Sequence, residues 1–207
     1  ADFLIFKEIM SKKPSTDLLN RSRCIVTEML EERGYNTTKC SSFLPVVKDD
    51  VKEPFDEIKL QKTDEIIIVR YILKLDPKKL PEIIDNITKK NAPILRDMTI
   101  VFITNELSEN DTDKIHGVAG ILSQKHNVYI QIIPFSRLLF NITKHKLVPK
   151  HTRITKKVFD KDYTDFLDTY HINSLDKLPS ILSTDPVASF IGLRPGELCK
   201  IERFSET

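Results

Sequence analysis

Three short runs constrain the fold of this 207-residue chain more than anything else in it: "EIIIVRYIL" from residue 65, "MTIVFIT" from residue 98 and "VYIQII" from residue 128. All three read as strands, and the last two as buried strands. Between them lie segments with helical punctuation. "DPKKLPEIIDNITKK" opens on Asp76 and Pro77. In "ENDTDKIHGVAGILSQK", Ile115, Val118 and Leu122 recur at helical spacing. Strands alternating with helices predict an α/β domain. Two further elements precede them. "PFDEIKL" predicts a strand with Ile58 and Leu60 inward and Glu57 and Lys59 on the other face, followed by a turn at "QKTD". "STDLLNRSRCIVTEMLEERGY" predicts a helix, with N-cap oxygens at Ser15, Thr16 and Asp17 and a left-handed stop at Gly34. Its expected apolar stripe is Leu18, Cys24 or Ile25, Met29 and Leu30. "CSSFLPVVKDDVKEP" reads as a loop or an irregular strand.

The C-terminal part has a different texture. "SRLLFNITKH" predicts a strand, and "FDKDYTDFLDTYHI" a helix carrying Phe166, Leu167 and Tyr170. "STDPVASFIGL" predicts a compact helix with Asp185 as N-cap, Pro186 in the first turn and Gly192 as the stop. "RPGE" fits a type II turn, in which Pro195 presets φ and Gly196 supplies a positive one. "LCKIERF" follows as a strand. The boundary falls near residue 138. The chain is therefore expected to be α+β: an N-terminal α/β domain over 1–137 and a small mixed α/β domain over 138–207.

A net charge of +2 argues against a chain that grips nucleic acid by bulk electrostatics. Cys24, Cys40 and Cys199 are far apart and form no Cys-x-x-Cys, so neither a disulfide framework nor a zinc site follows. A reducing intracellular compartment is the simple expectation. "ADFLIFKEIM" is interrupted by Asp2, Lys7 and Glu8 and does not read as a signal peptide. The run around "IIIV" is too short to span a bilayer, so no membrane partner is expected.

The candidate chemistry is thin. Glu57-x-Lys59 has the acid-x-lysine spacing of a magnesium-dependent nuclease, which needs a second carboxylate; Asp49 and Asp50 are the near candidates. A solvated strand face explains it better. Glu109, Asp111 and Asp113 are spaced like a calcium loop, but Lys114 stands where its glycine belongs and Gly120 where its last carboxylate belongs. "GVAG" matches a Gly-x-x-Gly nucleic-acid loop, yet its helical surroundings favour close helix packing. His116, His126 and His171 each read as ordinary. No cofactor or metal site follows.

"NITKHKLVPKH", residues 141–151, gathers His145, His151, Lys144, Lys146 and Lys150 around Pro149. Pro149 lacks an amide donor and pushes Val148 out of the helical region, so the stretch is expected to be extended. Extended chain would separate His145 from His151 by about 20 Å, too far for one metal ion. From Lys144 to Lys157 there are bases and no acids, with Leu147 and Val148 embedded and no aromatic to stack on a base. Protein docking is favoured over nucleic acid.

"LVPKH", "DPVA", "GL", "GE" and "SET", occurring in that order over residues 141–207, resemble the common subunit shared by the three nuclear RNA polymerases. Its C-terminal domain corresponds to a subunit of the archaeal polymerase. "TEMLEERGY" is similar to the family's first helix and turn; elsewhere in the first half only the order of elements matches. The resemblance implies a non-catalytic subunit of a DNA-dependent RNA polymerase. Its C-terminal assembly domain would dock on the largest subunit among other polymerase subunits. Its N-terminal domain would resemble an inactive restriction endonuclease and form part of the lower jaw, meeting downstream duplex DNA only within the assembled enzyme. The docking residues carried over are His145, Leu147, Val148, Pro149, Lys150, His151, Arg153, Asp185, Pro186, Gly192 and Gly196. Proline is expected to fix the backbone of "LVPKH", the apolar pair to anchor it, and the bases to face outward. Two departures stand out. The family continues beyond "SET" through a Gly-Arg and a Tyr-Arg, whereas this sequence stops at Thr207. The N-terminal half also diverges from cellular versions, and the chain resembles versions encoded by large cytoplasmic DNA viruses of the African swine fever type. That would imply host cytoplasm and virion in place of a nucleus. The alternatives from other classes are a divergent magnesium-dependent nuclease and a free-standing DNA-binding regulator.

Overall fold

The computed structural model describes residues 14–38, 57–62, 65–91, 97–155, 163–172 and 174–203. Expectations that fall on Asp49 and Asp50, on Cys40, on "CSSFLPVVKDDVKEP", on the start of "FDKDYTDF" and on "SET" lie outside the described residues. The chain is α+β and divides into two compact units, residues 1–140 and 141–207.

The first unit is organised by its most apolar strands. β1 (Glu57–Lys62), β2 (Glu65–Tyr71), β3 (Met98–Thr104) and β4 (Tyr129–Pro134) form one sheet in that order. β1 runs antiparallel to β2, and β2, β3 and β4 are mutually parallel. Every residue of β3 is buried, which a continuous apolar run requires when both faces are covered. β1 lies at the edge, with Ile58 and Leu60 buried and Lys59 exposed, as its alternation predicts. One face carries α2 (Leu80–Asn91) and α3 (Glu109–His126). Their Ile84, Ile87, Ile115 and Leu122 pack on Ile66, Ile68, Ile100, Phe102 and Ile130.

α1 (Thr16–Glu32) covers the other face. Ser22 bonds Tyr71 at 3.0 Å and Arg33 donates to Gln131 at 2.9 Å. The Arg23 guanidinium sits 5.9 Å above the Tyr71 ring, within cation–π range. The buried side of α1 is Leu19, Ser22, Arg23, Val26, Met29 and Leu30, which shifts the expected stripe. Leu18 and Ile25 are half-buried and Cys24 is exposed. Spacings of three and four from Leu19 reach Met29 and Leu30 without a break, and the helix turns that side to the sheet.

The other departures have local causes. "SRLLFNITKH" is not a strand: Phe135–Leu138 and Ile142–Lys144 are 3₁₀ turns. The Asn141 side chain accepts from the Thr143 amide at 3.0 Å and the Thr143 hydroxyl at 2.6 Å, a local bond that competes with a strand ladder. Gly117 and Gly120 do not serve close packing, because a Cβ on either would meet nothing within 4 Å. α3 ends instead on Asn127, left-handed at φ 52°. His126 is not isolated: its Nε2 lies 2.9 Å from Asp85 on α2. His171, left-handed at φ 52°, follows α4 (Tyr163–Tyr170).

Candidate functional site

The second unit is small. β5 (Lys150–Ile154) pairs antiparallel with β6 (Leu198–Glu202), and α5 (Pro186–Ile191) packs on β5 and on the 3₁₀ turn at Ile142–Lys144. A two-stranded sheet is marginal alone, so this unit depends on how its ends are fixed. α5 is fixed as its sequence predicts. Asp185 accepts from the Val187 and Ala188 amides, both at 2.8 Å, and Pro186 occupies the first turn. Gly192 takes φ 71°, where a side chain would be strained. Gly196 takes φ 80°, and the Glu197 amide closes the turn on the Arg194 carbonyl at 3.1 Å.

The strand register separates the basic residues that the sequence groups together. Arg153 stands opposite Cys199 and His151 opposite Ile201, while Lys150 stands opposite Glu202 and Thr152 opposite Lys200. Alternation therefore sends Lys150 to one face and His151 and Arg153 to the other. On the first face Glu202 lies 3.4 Å from Lys150 and 2.8 Å from Lys200. The hydrogen bond from Lys200, and then Lys150, hold the Glu202 carboxyl below the usual carboxylate range.

On the second face Arg153 is not the outward-facing base the sequence suggests. Its Nε and Nη2 make a bidentate pair with Glu197, at 2.6 and 2.7 Å. The Arg153 side chain is 17% exposed and that of Glu197 8%. Glu197 also accepts from the Arg194 amide at 2.8 Å, so one carboxylate ties β5 to the turn before β6. His151 Nδ1 donates to the Pro149 carbonyl at 2.7 Å, which puts the proton on that nitrogen. Burial and the Asp185 charge push the Cys199 thiol up, away from the reactive thiolate, against a smaller opposing effect of the Thr152 backbone.

The "HKLVPK" segment is not uniformly extended either. The Val148 amide bonds the His145 carbonyl at 2.9 Å and the Leu147 amide bonds His145 Nδ1 at 3.3 Å. A turn therefore precedes Pro149, and strand backbone begins at Lys150. The separation of about 20 Å between His145 and His151 assumed continuous extension and loses its basis. Leu147 does not anchor the segment: it is 82% exposed, and Val148 is half-buried.

The nuclease-like pair is held for another purpose. Glu57 lies 3.6 Å from Arg70 and 4.0 Å from Lys90, and Lys59 donates to Asn91 at 2.5 Å. These contacts tie the edge strand to β2 and α2. The pairing partners Arg153–Glu197 and Lys59–Asn91 were not legible in advance, because each joins residues far apart in sequence. No helix among the described residues is long and apolar enough to cross a membrane.

Residues 140–207, which include the whole of the second unit, match the family described as RNA polymerase Rpb5, C-terminal domain. The chain is also similar to a Dictyostelium discoideum protein named DNA-directed RNA polymerases I, II, and III subunit rpabc1. The two are 29% identical over 187 residues, 89% of each chain. A Caenorhabditis elegans protein of the same name is 24% identical over 212 residues, covering 90% of this chain and 89% of its own. Residues 140–207 thus carry the pattern of the Rpb5 C-terminal domain, and the chain is similar over most of its length to two proteins named as a subunit of DNA-directed RNA polymerases I, II, and III.

Proposed function

We propose that this protein is a non-catalytic subunit of a multisubunit DNA-dependent RNA polymerase. The observation that carries this is the match over residues 140–207, which falls on a unit with its own capped helix, strand pair and closing ion pair. The second unit serves as the assembly domain and docks on the largest subunit. The first unit serves as the lower jaw near downstream DNA. Its helix-covered mixed sheet supports a restriction-endonuclease-like fold, and the engagement of Glu57 and Lys59 by Arg70, Lys90 and Asn91 supports a site with no catalytic role. A near-neutral chain supports DNA contact that depends on the assembled enzyme.

Co-purification is the direct test: tagged full-length chain should bring down the catalytic polymerase core. A chain that purifies alone, and shows magnesium-dependent nuclease activity abolished by Glu57→Ala, would be a nuclease instead. The low identity to two cellular relatives supports a divergent, virus-encoded version that works in host cytoplasm and travels in the virion. Mass spectrometry of purified virions should then detect the chain, whereas a purely nuclear protein absent from virions would contradict that origin.

A further inference from the structure

The residues expected to form a basic docking edge are largely committed within the chain. Lys150 faces Glu202, Arg153 is clamped by Glu197, and His151 bonds the Pro149 carbonyl. The neighbouring turn is different. Leu147 is 82% exposed, and Lys144, His145 and Lys146 beside it are exposed as well.

A single exposed leucine is ordinary on a protein surface. This one differs in how it is presented. The turn is closed by the Val148 amide on the His145 carbonyl and by the Leu147 amide on His145 Nδ1. Asn141 fixes the chain just before it through Thr143, and Pro149 restricts the chain just after it. A side chain held out by a fixed backbone loses little freedom when it is captured, so its apolar area converts efficiently into affinity. The charge around it is of one sign, since residues 141–157 contain no Asp or Glu.

We infer that the His145–Val148 turn is a docking knob, with Leu147 as an apolar plug for a protein pocket rimmed by carboxylates. On the function proposed above, that pocket belongs to the largest polymerase subunit. An apolar centre with a cationic rim fits a protein interface, in which the core is apolar and the rim polar. It fits single-stranded nucleic acid less well, since residues 141–157 contain no Phe, Tyr or Trp as a stacking platform and the ring of His151 is engaged by the Pro149 carbonyl. The same placement explains why Leu147 contributes little to its own fold, so its substitution is separable from folding.

The test uses the full chain and the catalytic polymerase core purified without this subunit. Wild type should bind the core. Leu147→Asp should bind roughly tenfold or more weakly with an unchanged melting temperature. Leu147→Ile should bind nearly as wild type. Lys146→Glu should give a smaller loss that fades at high salt. Wild-type affinity in Leu147→Asp would overturn the knob and leave the polymerase reading intact. Failure of wild type to bind the core would remove the polymerase reading, and the knob with it. If Lys146→Glu weakens binding to a short duplex DNA while Leu147→Asp weakens nothing, the turn is a nucleic-acid contact and the protein pocket is excluded.

Discussion

In the first unit every residue of β3 from Met98 to Thr104 is buried; in the second, no residue of β5 or β6 is. The sheet of the first unit is clad by α2 and α3 on one face and met by α1 on the other, and its cohesion is apolar area. The strand pair of the second unit has α5, whose Val187, Ala188 and Phe190 are buried, and little else of that kind among the described residues. What fixes it is polar and directional: the Asp185 cap, the left-handed glycines and the Arg153–Glu197 clamp. A unit built the first way tolerates the loss of its surface polar groups and fails when its apolar core is cut. One built the second way has a few polar groups whose removal is felt out of proportion to their size.

The largest expected effect sharpens that contrast. Phe102→Ala removes a side chain with no exposed surface and should cost about 3–5 kcal/mol. Ile154→Ala, on the half-buried end of β5, should cost roughly 1–2 kcal/mol. Urea denaturation followed by hydrogen exchange at the affected strands reads each unit separately. Equal costs would mean that the second unit has an apolar core of the same kind.

Next comes the clamp. Arg153→Ala leaves Glu197 mostly buried with only the Arg194 amide, and should cost about 2–3 kcal/mol. Replacing both Arg153 and Glu197 by leucine should recover part of that, because the lone buried charge is gone. A single substitution as harmless as one on the surface would show that strand pairing alone carries the unit. The same result bears on docking experiments: alanine substitutions that include Arg153 confound folding with binding, whereas Leu147 does not.

These cases also show where the sequence is informative. The α5 helix is written in consecutive residues, and Asp185, Pro186, Gly192 and Gly196 all take the local roles their spacing predicts. β3 is legible for a similar reason, since seven residues in a row with hardly a polar group leave few alternatives. The phase of α1 was not legible, because Leu18–Leu19 and Ile25–Val26 offer two adjacent stripes and only the sheet beneath selects between them. The state of Arg153 was hidden further still. Its partner stands 44 residues away, and a local reading sees only a run of bases. The turn at Leu147 was masked by Pro149, whose preference for extended neighbours bears on Val148, while the His145 carbonyl and Nδ1 close the turn over the residues before it.

A smaller effect concerns Gly117 and Gly120, which sit mid-helix in α3 with open space around them. Nothing within the described chain needs their missing side chains. Gly117→Ala and Gly120→Ala should each stabilise the first unit by about 0.5–1 kcal/mol, by restricting the unfolded chain and favouring helix. Thermal melting checks this. Destabilisation would mean that α3 is packed more closely than its exposure indicates, and that the first unit too relies on exact local fits.

The smallest expected effect is the pH dependence of the second unit's open face. Glu202 is held low by Lys200 and Lys150, and Lys200 is raised in turn by Glu202. Both groups are well exposed, so the contribution is modest and screened by salt. The signs are opposite. Glu202 has a lower pKa folded than unfolded, so its stabilisation is complete above the unfolded value of about 4.3 and disappears as pH falls through the lower folded value. Lys200 has a higher pKa folded than unfolded, so its stabilisation is complete below about 10.4 and disappears as pH rises through the higher folded value. Between those limits the difference between wild type and Glu202→Gln should be flat. It should shrink toward zero at the acid end and again at the alkaline end, and weaken in about 1 M salt, where a screening length of ~3 Å reaches the Lys150 contact at 3.4 Å before the Lys200 hydrogen bond at 2.8 Å. Exchange of the β5 and β6 amides against pH is the measurement. An acid limb unchanged in Glu202→Gln would show that the Glu202 contacts with Lys200 and Lys150 do not hold this face together.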